Sequence, residues 1–241
     1  MLQFLDSLAD FLFPPLCHIC HAFIPDAGKL HICPECLGEI QFISEPACEI
    51  CGTPFFGAGD SHICGRCLTD RPFFDLARAA AVYGGGVRQM IHAFKYDRKT
   101  HLRRPLALLT ISATAGFISE EKPEIILPVP LHVERLRQRG FNQAVLLGEL
   151  ISREFRIPME RRTLLRLRRT MPQVALSVAE RMENVKNAFG LSKKAKIEGR
   201  KVLLVDDVFT TGSTVDECSR ILKKSGVARV CVLTVARAIN G

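Results

Sequence analysis

Three stretches of the chain are apolar at nearly every position and rich in β-branched residues: EIILPVP (124–130), KVLLVDD (201–207) and ARVCVLTVA (228–236). Strands covered on both faces read this way, whereas a strand with one wet face alternates. The first two are followed by segments, 142–155 and 213–225, whose apolar positions recur every three to four residues. Strand alternating with helix predicts an α/β fold built on a parallel sheet flanked by helices. LARAAAVY (76–83), ahead of the Gly84-Gly85-Gly86 turn, predicts an edge strand, and further helices are expected near 87–96 and 100–117. Ser177 and Glu180 have capping-box spacing, which predicts a helix from Val178 through Asn187. The stretch before it, RRTMPQVAL (168–176), reads as a loop.

The pattern changes near TDRPFFD (69–75). Eight of the ten cysteines lie between Cys17 and Cys67, and after that stretch only Cys218 and Cys231 remain. The chain therefore divides into a small module with a short lead-in (1–70) and the α/β domain (71–241). A shift of 31 residues carries Cys17, Cys20, Cys33 and Cys36 onto Cys48, Cys51, Cys64 and Cys67, and also Ile19 onto Ile50, His31 onto His62 and Leu37 onto Leu68. The module is thus two copies of one unit. Each Cys-x2-Cys pair can turn two thiolates onto one tetrahedral Zn2+, and two pairs make a closed four-thiolate site. Tandem ligation within each copy is expected from the repeat, with a cross-braced pairing as the alternative. Such closed sites leave no open position for substrate, so the expected Zn2+, one per site, is structural. A disulfide or redox set is the competing reading, and four pairs in register speak against it. His31 and His62 read as neighbours of the sites, and Cys218 and Cys231 as buried packing thiols.

Charge and length narrow the class. The 241 residues carry 33 Lys+Arg against 25 Asp+Glu, a formal net charge of +8. Eight thiolates and two Zn2+ bring that to +4. No window offers the roughly 18 uninterrupted apolar residues of a membrane span. The opening MLQFLDSLADFLFPPL carries Asp6 and Asp10 and lacks a basic n-region, so it does not read as a signal peptide and a cytoplasmic protein is expected.

The strongest chemical signal is KVLLVDDVFTTGSTVDE (201–217). An apolar strand ends in Asp206 and Asp207, then Thr210, Thr211, Gly212, Ser213 and Thr214 lead into a helix. Backbone N–H groups, small hydroxyls and the helix dipole make an anion cradle suited to a terminal phosphate. Carboxylates at the C-terminal end of a parallel strand can accept hydrogen bonds from vicinal hydroxyls. Phosphate plus diol describes a ribose 5-phosphate. A receiver domain does not fit, because VLLVDD stands near the end of the chain instead of opening a domain. A Walker B strand does not fit either, because no G-x-x-x-x-G-K-[ST] loop occurs.

Residues 201–214 resemble the diphosphoribosyl-binding signature of type I phosphoribosyltransferases. The succession of four Cys-x2-Cys pairs, FKYDRKTHL, PVPLHVERLRQRGFNQA, RTMPQVALSVAERMENVKNAF and that signature resembles the ComF family of competence-associated proteins over nearly the whole chain. The resemblance implies that Asp206 and Asp207 hold the ribose hydroxyls and act in catalysis, and that Thr210 to Thr214 bind the 5-phosphate of 5-phosphoribosyl 1-diphosphate. It implies Mg2+ bridging substrate oxygens, and a pyrophosphate loop at LHVERLRQRGFN (131–142), where Arg135, Arg137 and Arg139 could neutralise the diphosphate. It also implies a lid at 168–176, with Arg168 and Arg169 able to cover the site. The implied reaction is substitution at the anomeric carbon with loss of pyrophosphate. Lys95 to Arg98 end a helix in basic residues, which ordinary dipole chemistry explains, so they are given no catalytic role.

The acceptor base is not legible. Any hood over the site is expected from the N-terminal half, the zinc units included. The competing function is a non-catalytic factor that binds single-stranded DNA or senses a nucleotide, since the ComF family is associated with DNA uptake and its machinery. Arg161, Arg162, Arg166, Arg168 and Arg169 make a basic stretch, but with no Trp and two Tyr the stacking candidates are Phe55, Phe56, Phe73 and Phe74.

Overall fold

The computed structural model describes residues 14–25, 28–57, 59–170 and 178–239. The lead-in up to residue 13, Ser177 of the capping box and positions 171–176 of the expected lid lie outside them. The order begins with two short helices, α1 (Pro34–Gly38) and α2 (Gly65–Thr69), one per cysteine unit. Then follow β1 (Leu76–Val82), α3 (Gly85–Tyr96), a 3-10 turn (Thr100–Leu102), α4 (Arg103–Glu121), β2 (Ile125–Pro128), α5 (Val133–Arg139), α6 (Gln143–Phe155) and β3 (Leu164–Arg166). The chain continues through α7 (Val178–Val185), β4 (Phe189–Leu191), β5 (Lys201–Phe209), α8 (Ser213–Lys224) and β6 (Arg229–Arg237).

A four-stranded parallel sheet of order β1-β6-β5-β2 carries the domain, and β3 and β4 form a separate antiparallel hairpin. The continuous apolar runs are explained by burial on both faces. On β5, Leu203 and Val205 join one hydrophobic cluster and Val202 and Leu204 the other. Helices α3, α4 and α6 cover the first face, with Val87, Met90, Ile91 and Phe94 of α3 and Leu147 and Ile151 of α6 buried there. Helix α8 covers the second through Val215, Cys218 and Leu222.

The first cysteine unit joins the α3/α4 cluster through Cys17, Ile24, Ile32 and Ile40, and the second joins the α8 cluster through Cys48, Ile50, Cys67 and Phe74. The two copies therefore straddle β1, one on each face. Between them the backbone runs along its outer edge: Ile43 N–H donates to Ala80 O at 2.9 Å and Val82 N–H to Gln41 O at 2.8 Å, while Ala77 N–H reaches Ile50 O at 2.7 Å. The strand expected at an edge is indeed terminal in the sheet, and the module satisfies the open hydrogen-bonding groups that such a strand presents.

The stretch 131–142, expected as a loop, is largely the helix α5. His132 caps it by accepting from Glu134 N–H at 3.4 Å, and Gly140, at φ +85°, ends it. With seven residues the element is too short for periodicity to reveal.

Candidate functional site

Strand β5 delivers its two carboxylates at its C-terminal end, beside a cleft of about 870 Å³. Asp206, Asp207, Thr210, Gly212 and Thr214 line that cleft. Gly212 is the N-cap of α8 at φ +80°, a left-handed conformation natural to glycine. A Cβ there would fall 2.5 Å from the Phe209 ring, so no side chain fits without displacement. Thr211 and Ser213 are buried, their hydroxyl oxygens 2.8 Å apart. The loop thus places hydroxyls and first-turn N–H groups at the head of a 12-residue helix, where the dipole favours an anion.

Asp206 Oδ1 accepts from Asp207 N–H at 2.9 Å. Burial and the neighbouring Asp207 push the Asp206 carboxyl up to about 7. Lys95 Nζ stands 2.8 Å from Asp207 Oδ1. Burial alone would pull the Lys95 ammonium down; the Asp207 carboxylate outweighs it and holds the ammonium above its usual range. Lys95, whose position at a helix end dipole chemistry alone would explain, is thus the charge partner of Asp207 on the cleft. A signal existed: Arg88, His92, Lys95 and Tyr96 fall on one face of α3 at spacings of four, three and one, opposite the buried stripe, and all four line the cleft.

The arginines divide. Arg135 and Arg139, four apart on α5, line the cleft, whereas Arg137 is exposed and does not. Arg139 donates to Gln143 Oε1 at 2.7 Å and lies over the Tyr96 ring at 5.2 Å. Arg168 is tied to the Asn184 and Lys186 carbonyls at 3.0 and 2.9 Å, and Arg169 pairs with Glu134 at 2.6 Å, both at the surface. From the same basic stretch it is Arg166 that lines the cleft, donating to Thr170 Oγ1 and lying 5.1 Å over the Phe189 ring. Arg166 Nε and Gln143 Nε2 are buried without a hydrogen-bond partner among the described residues, and both residues line the cleft. Gln143, at the first position of α6, was not singled out from sequence.

In the module, the sulfur atoms of Cys17, Cys20, Cys33 and Cys36 lie within 4.8 Å of one another, as do those of Cys48, Cys51, Cys64 and Cys67. Ligation is therefore tandem. Bonds of about 2.3 Å to a tetrahedral Zn2+ put sulfurs about 3.8 Å apart, and Cys20–Cys33 and Cys51–Cys64 stand at 3.7 and 3.8 Å. Cys48 Sγ accepts from the Cys51 and Cys64 amides at 3.5 and 3.3 Å. Burial raises that thiol, and the amides overcome it, bringing it down to about 6. Cys17, accepting from the Ile19 and Cys33 amides, reaches about 6 in the same way. Preformed thiolate character in each cluster suits a structural Zn2+. Cys218 and Cys231 are buried, and burial raises both thiols, Cys231 to about 12 with help from Glu121.

Residues 8–68 match the double zinc ribbon domain family, and residues 142–240 match the phosphoribosyl transferase domain family. Competence protein F of Haemophilus influenzae is 40% identical over 153 residues, spanning 62% of this chain and 67% of that protein. DNA utilization protein YhgH of Escherichia coli is 35% identical over 162 residues, 66% of this chain and 70% of that protein. Competence protein ComFC of Bacillus subtilis is 31% identical over 154 residues, 64% and 55% of the respective chains. A purine phosphoribosyltransferase from Pyrococcus horikoshii overlays 56% of this chain at a TM-score of 0.37 and 18% identity, covering 86% of that structure. Joining a double zinc ribbon to a phosphoribosyltransferase-like sheet, and matching those relatives across most of their length, the chain belongs to the ComF family of competence-associated proteins.

Proposed function

We propose that the cleft binds 5-phosphoribosyl 1-diphosphate with Mg2+, in a cytoplasmic protein that serves DNA uptake. The observation that carries this reading is the set of groups gathered on one cleft: Thr210, Gly212 and Thr214 at the head of α8, the carboxylates Asp206 and Asp207 with Lys95 beside them, and the cations Arg135 and Arg139. Phosphate, diol and diphosphate are the three groups that such a set complements. Thr210, Thr214 and the backbone N–H groups around Gly212 receive the 5-phosphate, while Thr211 and Ser213 line the cavity behind the loop; the two carboxylates accept from the ribose hydroxyls, and the cations face the diphosphate.

The donor set suits Mg2+ held chiefly by the ligand. Among the described residues only the cysteine clusters gather three or more ligating side chains, and Mg2+ favours substrate oxygens and water over a protein cage. Asp206 and Asp207 would hold it, and it would supply charge neutralisation of the diphosphate. In transfer, the bond from the anomeric carbon to the diphosphate breaks and its electron pair leaves with the pyrophosphate. Arg135 and Arg139 stabilise that charge, and the incoming nucleophile supplies the new bond.

Thermal unfolding of the zinc-loaded protein with Mg2+ and the diphosphate tests the pocket. At about a hundredfold excess over Kd, linkage gives about 2.7 kcal/mol of stabilisation, expected for the wild type and absent in Asp206→Asn/Asp207→Asn. Tyrosine emission supplies an independent readout, because the chain has no Trp and its two tyrosines, Tyr83 and Tyr96, both line the cleft. Equal behaviour of the wild type and double variant defeats the reading.

Direct capture of single-stranded DNA is the second function to test, supported by the competence and DNA-utilization names of the relatives. The basic stretch does not form one strip: Arg161 pairs with Glu149 at 2.7 Å, Arg166 turns to the cleft and Arg168 ties down α7. Of the phenylalanines, Phe56 and Phe73 are exposed, Phe55 stacks on His62 at 4.0 Å and Phe74 is buried. A steep loss of affinity with salt is the signature expected of that function.

A further inference from the structure

The phosphate loop has a back as well as a front, and the second zinc ribbon touches it. Arg66 lies on α2 between the ligands Cys64 and Cys67, and its Nη2 donates to Thr211 O at 2.6 Å, across 145 residues of sequence. Arg237 donates to Cys51 O at 2.7 Å and lies 4.2 Å over the Phe209 ring, the ring that fills the space beside Gly212. Phe73 N–H donates to Asp216 Oδ1, in the first turn of α8, at 2.6 Å. Arg66, Arg237, Phe209, Thr211 and Asp216 line a small cavity of about 30 Å³, and Gly212 lines both it and the main cleft.

A trans peptide points its C=O and N–H in opposite directions. Fixing the Thr211 carbonyl toward the zinc ribbon turns the Gly212 N–H of the same peptide away from it, to the side where the phosphate is to sit. The flexible Gly212 gives this peptide no side chain of its own to hold it. In the first ribbon the 31-residue shift places Glu35 at the position of Arg66. Glu35 is exposed on α1, on the other face of the sheet, and carries the opposite charge.

We propose that Arg66 is a positioning residue for the phosphate loop. Through it the metal site of the second ribbon, and not of the first, sets the affinity of the cleft for phosphate. The inference rests on the phosphate-ligand reading above and adds a coupling to it. Coupling is reciprocal, so a bound phosphate ester also holds the metal in the second site.

The experiment compares full-length, zinc-loaded wild type with Arg66→Gln, Arg66→Lys and Glu35→Gln, using ribose 5-phosphate as the probe. Arg66→Gln is expected to keep two zinc ions per chain and to lose about tenfold in affinity, the worth of a charged hydrogen bond. Arg66→Lys recovers part of it and Glu35→Gln loses none. In the wild type, ribose 5-phosphate slows removal by chelator of one of the two zinc ions; in Arg66→Gln it does not. The Gly212 amide resonance of the ligand-free protein moves in Arg66→Gln, a change that a general loss of stability does not produce. Wild-type affinity in Arg66→Gln overturns the inference, and so does loss of a zinc ion from that variant. If the wild type itself ignores ribose 5-phosphate, the function proposed above fails. The Gly212 resonance then decides separately, and an unmoved resonance removes the positioning role.

Discussion

The two zinc ribbons are copies at the level of hydrogen bonds and opposites at the level of surfaces. His21 N–H to Cys17 O at 3.0 Å is repeated as Gly52 N–H to Cys48 O at 2.9 Å, Ile24 N–H to Pro15 O at 2.8 Å as Phe55 N–H to Pro46 O at 2.9 Å, and Leu37 N–H to Cys33 O at 2.9 Å as Leu68 N–H to Cys64 O at 3.1 Å. Residues 21 and 52 share a left-handed backbone, φ +61° and +69°. What differs is what each copy leans on. The first sits against α3 and α4; Ile19 packs where a Cβ on Gly86 would be, and His18 lies 5.3 Å from His101. The second leans on β1 and on the phosphate loop. Duplication preserved what the metal needs and left the outward residues free to serve two different walls.

The comparison breaks most severely at the metals. Zinc binding in such sites is folding energy of about 10–16 kcal/mol. Cys17→Ser/Cys33→Ser and Cys48→Ser/Cys64→Ser are each expected to retain one zinc per chain by elemental analysis. Loss of both ions from either variant would mean that the copies fold as one unit.

A smaller effect follows from the shared turn. At Gly52 a Cβ would lie 2.5 Å from the Ala77 carbonyl oxygen, where β1 presses on the second copy. Gly52→Ala combines that clash with positive φ and is expected to cost about 2–3 kcal/mol in chemical denaturation. His21→Gly relieves the same backbone strain in the first copy and should change stability by no more than about 1 kcal/mol. Equal losses would show that the copies are packed alike.

A third effect, read as a dependence on pH, is in the loop that the second copy supports. The Asp206 carboxyl is raised from its ordinary acid range to about 7 by burial and Asp207. Its contribution is therefore complete only below the ordinary carboxylate value of 3.8 and is lost progressively as pH rises from there to about 7. Asp206→Asn should raise the Tm of the ligand-free protein more at pH 8 than at pH 5. A uniform shift would place the cost of this carboxylate elsewhere, and Glu35→Gln in the first copy should show no such dependence.

Most of the sheet was legible because its strands are buried on both faces and so are written as uninterrupted apolar runs. The acid and hydroxyl loop was legible because its groups are consecutive in sequence. Helix α5 and the β3–β4 hairpin were hidden by shortness, at seven and three residues per element. Lys95 was missed for a different reason. A basic residue in the last turn of a helix has a local explanation, and its partner Asp207 lies 112 positions away, where no local pattern reaches. Arg66 is the same case: its spacing marks it as part of a ribbon, and only the fold brings it to Thr211.

The backbone of residues 41–43 along the outside of β1 has a consequence for how this chain can be divided. A polypeptide starting at residue 71, where composition changes, would retain every strand of the sheet yet expose the Ala80 C=O that now accepts from Ile43 and the Val82 N–H that now donates to Gln41. Such an uncovered margin is an invitation to stack onto a second molecule. The cysteine-rich segment is in this sense a selvedge, the finished border that keeps the woven part from joining its neighbour.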